Sequence, residues 1–243
     1  MNLSVIIPAY NEVDCIAETV IEIHNKLEKE EILFEIVVVN DNSDDGTGEL
    51  LDNLSKNYPS IRKVDNTPPN GFGFAVRRGL DSTRGEYVVI VMADASDDPD
   101  DIVRFFRLAE QEGVDAVFGN RFTKGGSYID YPFVKLCFNR FTNWMISALF
   151  AIRYTDTTNA FKLYRKDALE GLKPYLSHHF NLTVELPLKL IVRGYSYSVV
   201  PNHWMNRKAG ESKLKIKEMG SRYWFIILYC LVEKWLSVGD YKK

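Results

Sequence analysis

Cysteine is scarce in this chain, which argues against a disulfide-stapled protein or a cysteine-ligated zinc protein. The 243 residues contain three cysteines, Cys15, Cys137 and Cys230, which lie far apart without metal-ligand spacing. Free thiols in a reducing compartment are the simpler interpretation. The amino terminus, MNLSVIIPAYNE, also lacks the basic segment and the long apolar run of a signal peptide. We therefore expect a cytoplasmic protein.

Long hydrophobic runs and an excess of positive charge are absent as well. The longest apolar runs, over residues 144–152 and 223–232, fall well short of the ~20 residues that a bilayer-spanning helix needs. The formal net charge of −3 gives no general basis for neutralising nucleic-acid phosphates. We therefore expect no nucleic-acid partner and no membrane-spanning segment, while contact with a membrane surface stays open.

Three runs rich in Val and Ile predict strands of a parallel sheet. They cover residues 3–8, 34–40 and 87–92, and they lack alternation, as is typical of strands covered on both faces. Between the first two, Ile16, Val20, Ile23 and Leu27 recur at helical spacing. The order β-α-β-α-β predicts an α/β fold with a doubly wound, mostly parallel central sheet flanked by helices.

Polar loops follow each of these predicted strands. The three loops begin PAYNE, NDNSDDGT and DASDD, at Pro8, Asn40 and Asp94. In doubly wound sheets, ligands bind beyond the carboxyl ends of the strands. The three loops therefore converge on one edge and predict a single shared site.

Carboxylates are crowded in the stretch VIVMADASDDPDD, which carries Asp94, Asp97, Asp98, Asp100 and Asp101. Carboxylates this close raise one another's pKa unless a cation or hydrogen-bond donors meet them. The last three suit a helix start, because Pro99 favours the first turn and acids favour the positive helix end. Asp94 follows a strand directly and lacks that explanation, so it is the strongest candidate site residue.

Two later segments combine basic residues with aromatic ones. Residues 133–152 include Lys135 and Arg140 among many apolar residues, and Lys213, Lys215, Lys217 and Arg222 precede YWFIILYCLV near the end. Helices of this kind lie in the headgroup region of membranes. Packing against the core, or against a second copy in a homodimer, is the alternative.

Five segments occur in an order that resembles the inverting family 2 glycosyltransferases: SVIIPAYNE, VVNDNSDDGT, GFGFAVRRGL, RGEYVVIVMADASDDP and DTTNAFKLYRKDAL. The dolichyl-phosphate mannose synthases and their polyprenyl-phosphate relatives are the most similar group. The resemblance implies a GT-A fold, a GDP- or UDP-linked sugar donor, and Mg²⁺ or Mn²⁺. It implies a catalytic domain over residues 1–220, followed by an amphipathic helix over 221–243.

The resemblance also implies which residues contact the donor nucleotide. They are Pro8, Tyr10, Glu12, Asp41, Gly71, Gly73, Asp94, Ala95 and Ser96. The residue chemistry agrees, because Asp41 can accept from a base N–H and Glu12 from ribose hydroxyls. Gly71 and Gly73 permit close approach of the backbone. Asp44 and Asp45 have a separate explanation as parts of a turn closed by Gly46.

The metal motif of the family, Asp-x-Asp, reads Asp94-Ala95-Ser96 in this chain. A hard cation keeps several waters and needs one or two carboxylates besides the substrate phosphates. We therefore expect Asp94 and Asp98 to hold the metal, with Ser96 as a weaker neighbour.

For the acceptor, the resemblance implies that cationic and polar residues bind a lipid phosphate: Arg121, Lys135, Asn139 and Arg140. In the basic stretch NRKAGESKLK, Arg207 and Lys213 are candidates for the donor diphosphate and the acceptor phosphate. Asp156 in DTTNAF occupies the acidic position near the sugar. The expected catalytic set is therefore Asp94, Arg121, Asp156, Arg207 and Lys213.

The expected activity is transfer of a sugar from a nucleotide sugar to polyprenyl phosphate at the cytoplasmic face of a membrane. A phosphate acceptor is already ionised near neutral pH, whereas a sugar hydroxyl needs a base such as Asp156 or Glu185. Transfer to a glycan hydroxyl in a surface polysaccharide or glycolipid is one alternative. A non-catalytic nucleotide-binding protein is the other.

Overall fold

The chain is built around a seven-stranded sheet with helices on both faces. The computed structural model describes residues 1–207 and 216–237. For residues 216–219 it describes the backbone alone. The strands are β1 (Leu3–Ala9), β2 (Phe34–Asn40), β3 (Ile61–Asp65), β4 (Tyr87–Ile90), β5 (Ala116–Asn120), β6 (Ser127–Ile129), β7 (Lys162–Arg165), β8 (Tyr197–Pro201) and β9 (His203–Met205). The helices are α1 (Ile16–Lys29), α2 (Thr47–Asn57), α3 (Phe72–Ser82), α4 (Pro99–Glu112), α5 (Phe133–Phe150), α6 (Lys166–Gly171), α7 (Leu182–Val192) and α8 (Ile216–Leu236).

The strand order of the main sheet is β3-β2-β1-β4-β7-β5-β8. All neighbours are parallel except β7, which runs antiparallel to both β4 and β5. The predicted α/β class with a mostly parallel sheet is confirmed. A separate pair, β6 with β9, lies beside the sheet in parallel register.

Successive residues of the central strands enter opposite core layers, which explains their unbroken hydrophobic runs. In β1, Val5 and Ile7 pack into the layer formed with α1 and α4, whereas Ile6 packs into the layer formed with α3 and α7. Both faces of the sheet are covered, so a polar side chain would be buried whichever face it pointed to. The sheet therefore fixes where each strand ends and where the following loop leaves the core.

A third apolar cluster joins α5, α7 and α8 through Ile146, Val184 and Ile227, among others. A buried ion pair reinforces this packing, because Arg193, directly after α7, bonds Glu233 of α8 at 2.6 Å. The predicted boundary between residues 220 and 221 falls inside α8, which is one continuous helix from Ile216. Among the helices of the described ranges, none has the length and hydropathy needed to cross a bilayer.

Candidate active site

The loops after β1 and β2 are tied together by hydrogen bonds at the carboxyl edge of the sheet. Glu12 N donates to Thr47 Oγ1 at 3.0 Å, and Val13 N donates to Asp45 Oδ2 at 3.1 Å. Asn11 and Asp44 exchange two further bonds. Asp44 and Asp45 thus shape the loops, as their explanation as turn residues predicts. The result is a rigid frame for Tyr10 and Glu12.

Asp41 lies at the bottom of this frame with both carboxylate oxygens engaged. Its Oδ1 accepts from Asn66 Nδ2 at 2.7 Å and its Oδ2 accepts from Gly71 N at 2.8 Å. Burial raises the pKa of Asp41, although these two hydrogen bonds act in the opposite direction. Each oxygen can still accept a further bond from a ligand N–H.

Gly71 and Gly73 contribute differently. Gly71 lines the cavity described below, whereas Gly73 packs against the backbone of residues 177–179, where a Cβ would lie 2.5 Å from the His178 carbonyl carbon. Close packing of α3 against that loop therefore accounts for Gly73. The expectation that both glycines approach the nucleotide fits the position of Gly71.

The carboxylate of Asp94 lines the same cavity as the β1 loop and pairs with Arg207. Arg207 Nη2 is 2.8 Å from Asp94 Oδ2 and 3.4 Å from Glu12 Oε1. Burial alone would lower the pKa of the Arg207 guanidinium, but the two carboxylates outweigh it and raise that pKa. Arg207 thus balances the negative charge that the two strand-end loops bring together.

The oxygen atoms around Asp94 suit a hard cation whose other ligands come from water and from a bound substrate. Within residues 1–207 and 216–237, no group of three or more His, Cys, Asp or Glu side chains is placed to hold a metal ion. Ser96 is 3% exposed, and its Oγ lacks a hydrogen-bond partner among the described residues. One carboxylate and one hydroxyl oxygen, completed by water and phosphate oxygens, match the ligand preference of Mg²⁺ or Mn²⁺.

Asp98, the expected second metal ligand, caps a helix instead. Its side chain accepts from Asp100 N at 2.9 Å at the start of α4, and it does not line the cavity. The neighbouring Asp97 does line the cavity, where it accepts from Met92 N at 3.1 Å. Burial raises the pKa of Asp97 to about 7. Asp98 is thus the cap of α4, and its pairing with Asp94 as a metal ligand stays a prediction.

Arg121 at the end of β5 is held by a buried ion pair with Asp156. Its Nε and Nη2 donate to the two Asp156 oxygens at 2.9 and 2.8 Å, and its backbone N donates to Asp156 Oδ2 at 3.0 Å. Burial would lower the pKa of Arg121, but the charge of Asp156 prevails and raises it. Phe122, Tyr131 and Trp204 place their ring centroids 5.3 to 5.8 Å from its Cζ.

The two carboxylates considered as general bases both have structural partners. Asp156 is fully buried against Arg121 and does not line the cavity. Glu185 is equally buried, pairs with Lys189 at 2.6 Å, and accepts from Leu176 N and Ser177 N. Asp156 therefore fits a positioning role for Arg121 better than contact with a sugar.

A cavity of about 820 Å³ connects these groups. At one end it is lined by strand-end residues, among them Tyr10, Glu12, Asp41, Asp94 and Arg207. At the other end it runs between α5 and α8, where its walls are Phe138, Phe141, Met145, Trp224 and Ile227. Arg121 lies on the wall of the same cavity. One continuous space therefore has a charged end and an apolar end.

Most of the expected site residues line this cavity: Pro8, Tyr10, Glu12, Asp41, Gly71, Asp94, Ser96, Arg121, Lys135, Asn139 and Arg207. Gly73, Ala95, Asp98, Arg140 and Asp156 do not. Ala95 has a positive φ of 54° and shapes the turn between Asp94 and Ser96. Arg140 is exposed, with its Cζ 4.5 Å from the Phe122 ring centroid. Lys213 lies outside the described residues.

The cavity also contains residues that the sequence patterns did not single out. They include Phe72, Tyr131, Thr158, Asn159, His179, Phe180, Trp204 and Asn206. His179 lies near Asp41, where its charge when protonated lowers the pKa of that carboxyl. The histidine pair His178-His179, a few residues before Glu185, was the available signal for His179.

An exposed apolar surface continues outward from the apolar end. We define the apolar face as the exposed side chains of α5 (Phe133, Val134, Phe138, Phe141, Trp144, Leu149) and of α8 (Trp224, Phe225, Leu228, Val232, Trp235, Leu236). Trp144 is 66% exposed and Phe225 is 60% exposed. Apolar patches of this extent mark sites of interaction with a membrane or a protein.

Comparison with known proteins identifies the family. The family described as Glycosyl transferase family 2 matches residues 4–172. The chain is 34% identical over 223 residues to a dolichol-phosphate mannosyltransferase of Pyrococcus furiosus, covering 89% of this chain and 60% of that protein. It is 31% identical over 216 residues to a polyprenol monophosphomannose synthase of Mycolicibacterium smegmatis, covering 86% of this chain and 80% of that protein. The chain thus spans about three fifths of the length of the first relative.

Solved structures agree with the fold. Glucosyl-3-phosphoglycerate synthase from Mycobacterium tuberculosis, in complex with Mn²⁺, UDP and phosphoglyceric acid, superposes with a TM-score of 0.69 at 19% identity. The match covers 96% of this chain and 78% of that one. Taken with the match over residues 4–172, the chain belongs to glycosyltransferase family 2 and has a GT-A fold.

Proposed function

We propose that this protein transfers a sugar, with inversion, from a nucleoside-diphosphate sugar to the phosphate of a polyprenyl phosphate. The carrying observation is the single cavity that joins a charged strand-end site to an apolar groove between α5 and α8. A donor that is entirely polar and an acceptor with a long apolar tail need those two environments in one space. The names of the two curated relatives support a mannosyl donor and a polyprenyl acceptor.

In the proposed donor complex, the nucleoside lies in the frame formed by the loops after β1 and β2. Asp41 accepts from a base N–H, and Glu12 faces the ribose or the metal. Asp94 and Ser96 are the residues that would hold Mg²⁺ or Mn²⁺ beside the diphosphate. When bound, such a cation supplies positive charge that stabilises the departing diphosphate. Arg207 then exchanges its contact with Asp94 for a contact with diphosphate oxygens.

In the proposed acceptor complex, Arg121 binds the lipid phosphate. Asp156 holds the guanidinium through a bidentate pair, and Arg121 lines the cavity. A phosphate oxygen attacks C1 of the sugar, the bond from C1 to the diphosphate oxygen breaks, and the nucleoside diphosphate leaves with the electron pair. The attacking oxygen is already ionised, so no proton has to be removed.

A phosphate acceptor also agrees with the ion pairs that the buried acids form. Transfer to a sugar hydroxyl needs a base near the reacting oxygen. Asp156 and Glu185, the two acids expected for that task, are fully buried and paired with Arg121 and Lys189. The arrangement therefore favours an acceptor that brings its own negative charge.

The apolar face supports a peripheral position on a membrane. Aromatic and aliphatic side chains of α5 and α8 are suited to the headgroup region, and Arg140 and Arg222 accompany them in sequence. Polyprenyl phosphate is embedded in membranes, so this position brings the cavity to its acceptor. The free cysteines Cys15, Cys137 and Cys230 fit the reducing environment of the cytoplasmic side.

The test is a transfer assay with the full chain. Labelled GDP-mannose, UDP-glucose and UDP-galactose are each incubated with a short polyprenyl phosphate, with Mg²⁺ or Mn²⁺ and with chelator. We expect metal-dependent label in the lipid phase from one of these donors. Donor hydrolysis without a lipid product, whatever the donor, would contradict the proposed acceptor.

A further inference from the structure

Three polar side chains form a closed hydrogen-bond cluster where α5 meets the loop 156–159. Asn139 Nδ2 lies 2.7 Å from Thr158 Oγ1, and Asn143 Nδ2 lies 2.9 Å from the same oxygen. Asn143 is 1% exposed, whereas Asn139 and Thr158 line the cavity. The cluster thus connects a lipid-side helix to the loop that carries Asp156.

Backbone groups determine which way each amide faces. Thr158 N can only donate, and it lies 3.1 Å from Asn143 Oδ1, which must therefore be the amide oxygen. The Asn143 nitrogen then faces the carbonyl oxygen of Asn139 at 3.0 Å and Asn139 Oδ1 at 2.8 Å. Because Asn139 Oδ1 accepts, the nitrogen of Asn139 faces Thr158. Both amides therefore face Thr158 Oγ1 with nitrogen, and the two N–H protons of Asn143 are shared among three acceptors.

A threonine hydroxyl has two lone pairs that can accept and one proton that can donate. Both amides face Thr158 Oγ1 with nitrogen, so neither of them offers an acceptor for the hydroxyl proton. The hydroxyl proton can therefore donate to a group outside the cluster, and Thr158 lies on the cavity wall. Thr158 is therefore set up as a donor to an acceptor atom in the cavity.

The surroundings indicate what that acceptor atom is. Thr158 is two residues from Asp156, which holds Arg121, and Lys135 lies one helical turn before Asn139 on the same cavity wall. Building on the proposed function, we propose that Thr158 is an acceptor-binding residue that donates its hydroxyl proton to a phosphate oxygen of the prenyl phosphate. The Asn139–Asn143 pair sets this polarity, so Asn143 acts as a positioning residue.

The test compares Thr158→Val with Thr158→Ser. Binding of geranyl phosphate, a short and soluble prenyl phosphate, is measured by calorimetry, and its KM and kcat are measured in the transfer assay. We expect Thr158→Val to weaken binding about ten- to hundredfold, the range for a hydrogen bond to a charged group. Thr158→Ser keeps the hydroxyl and restores binding to within about threefold of wild type, and nucleotide affinity stays unchanged in both.

The neighbouring threonine provides a matched control. Thr157 is fully buried, does not line the cavity, and its Oγ1 lacks a hydrogen-bond partner within the described part of the chain. Thr157→Val therefore leaves geranyl phosphate binding unchanged. An equal loss in Thr157→Val and Thr158→Val would show a general disturbance of the loop and would overturn the assignment.

Asn143→Asp tests the polarity itself. Its carboxylate still accepts from Thr158 N but has no N–H for Thr158 Oγ1, so it draws the hydroxyl proton away from the cavity. We expect a loss of phosphate binding at least as large as in Thr158→Val, with a cooperative thermal melt retained. Unchanged phosphate binding in both variants would overturn the proposal.

Failure of this proposal and failure of the proposed function give different results. Wild-type transfer to geranyl phosphate with full activity in Thr158→Val removes the role of Thr158 and leaves the function standing. Binding that depends on Thr158, without any transfer by the wild type, supports the phosphate contact and contradicts the function. Absence of wild-type binding overturns both.

Discussion

The charged end and the apolar end of the cavity are built by opposite means. At the charged end, acids are met by donors or cations: Asp41 by Asn66 and Gly71, and Asp94 by Arg207. At the other end, α5 and α8 bury one side against α7 and leave the apolar face exposed. The charged groups of the site are thus paired within the protein. The apolar end, in contrast, leaves an exposed surface that a partner must cover.

The two ends of the cavity therefore have different roles. Exposed apolar area costs about 25 cal/mol per Å² relative to burial, so a large uncovered face is retained for binding rather than for folding. The paired charges fix the positions of reacting groups before substrate arrives. We expect substitutions at the charged end to affect turnover and those on the apolar face to affect access to the lipid.

Asp94→Ala has the largest expected effect. It removes the carboxylate that we propose to lie beside the donor diphosphate, and we expect transfer to fall about a thousandfold or more, with vesicle binding unchanged. Asp98→Ala is the matched control, because it removes a helix cap and costs ~1 kcal/mol of stability. Steady-state transfer and calorimetric Mn²⁺ titration measure both. An equal loss of metal affinity in Asp98→Ala would instead support Asp98 as a second metal ligand.

The double variant Phe225→Glu with Leu228→Glu comes next, at the apolar end. Each wild-type side chain contributes about 1.5–3 kcal/mol when buried, so we expect affinity for anionic vesicles to fall more than tenfold. Transfer to soluble geranyl phosphate stays near the wild-type rate. Flotation with liposomes measures the affinity for vesicles. Leu33→Glu, at a 60% exposed leucine before β2, should float like the wild type; equal losses in both would argue against a specific face.

Asp156→Asn tests the link between the two ends, with a smaller expected effect on transfer. Arg121 keeps hydrogen bonds but loses its charge partner, so we expect about a tenfold rise in KM for the prenyl phosphate at unchanged nucleotide affinity. Breaking a buried pair also destabilises the fold, by about 3–5 kcal/mol. Glu185→Gln breaks a comparable pair away from the cavity. It should lower the melting temperature similarly without changing that KM, and a shared rise in KM would remove the special role of Asp156.

Asp97→Asn has the smallest expected effect and concerns stability alone. The pKa of Asp97 is about 7 in the folded protein, against an unfolded value of 3.8, so the native state binds the extra proton between those pH values. The wild type therefore loses stability as pH rises through that window, by at most ~1.4 kcal/mol per unit, and Asn avoids the loss. Urea unfolding at pH 5 and pH 7.5 measures the difference. A constant difference between the two proteins would contradict the raised pKa.

The charged end could be predicted from sequence because its residues follow buried strands. Asp41 and Asp94 come directly after runs of Val and Ile, and the parallel sheet brings such positions to one edge. Asp98 shows the limit of that reasoning. Spacing alone could not reveal that Asp98 caps α4 through a hydrogen bond from Asp100 N, and its role as a metal ligand stays a prediction.

Other features depend on contacts between distant segments. The strand β7, with the sequence KLYR, lacks the run of Val and Ile that marks β1, β2 and β4, and its antiparallel direction is set by its pairing with β4 and β5. Thr158 and His179 enter the cavity because α5 and α3 pack against their loops. The pairing of Asp156 with Arg121 spans 35 residues, and neither residue type by itself indicates whether an acid is catalytic or structural.

The most direct test of the joined cavity is photocrosslinking with a prenyl phosphate that carries a photoreactive group on its first isoprene units. The experiment is done on vesicles with the donor nucleotide bound, and labelled peptides are identified by mass spectrometry. We predict label on α5 and α8, within Phe133–Phe150 and Ile216–Leu236, that unlabelled polyprenyl phosphate competes away. Label concentrated elsewhere, or insensitive to that competitor, would contradict a single cavity that holds both substrates.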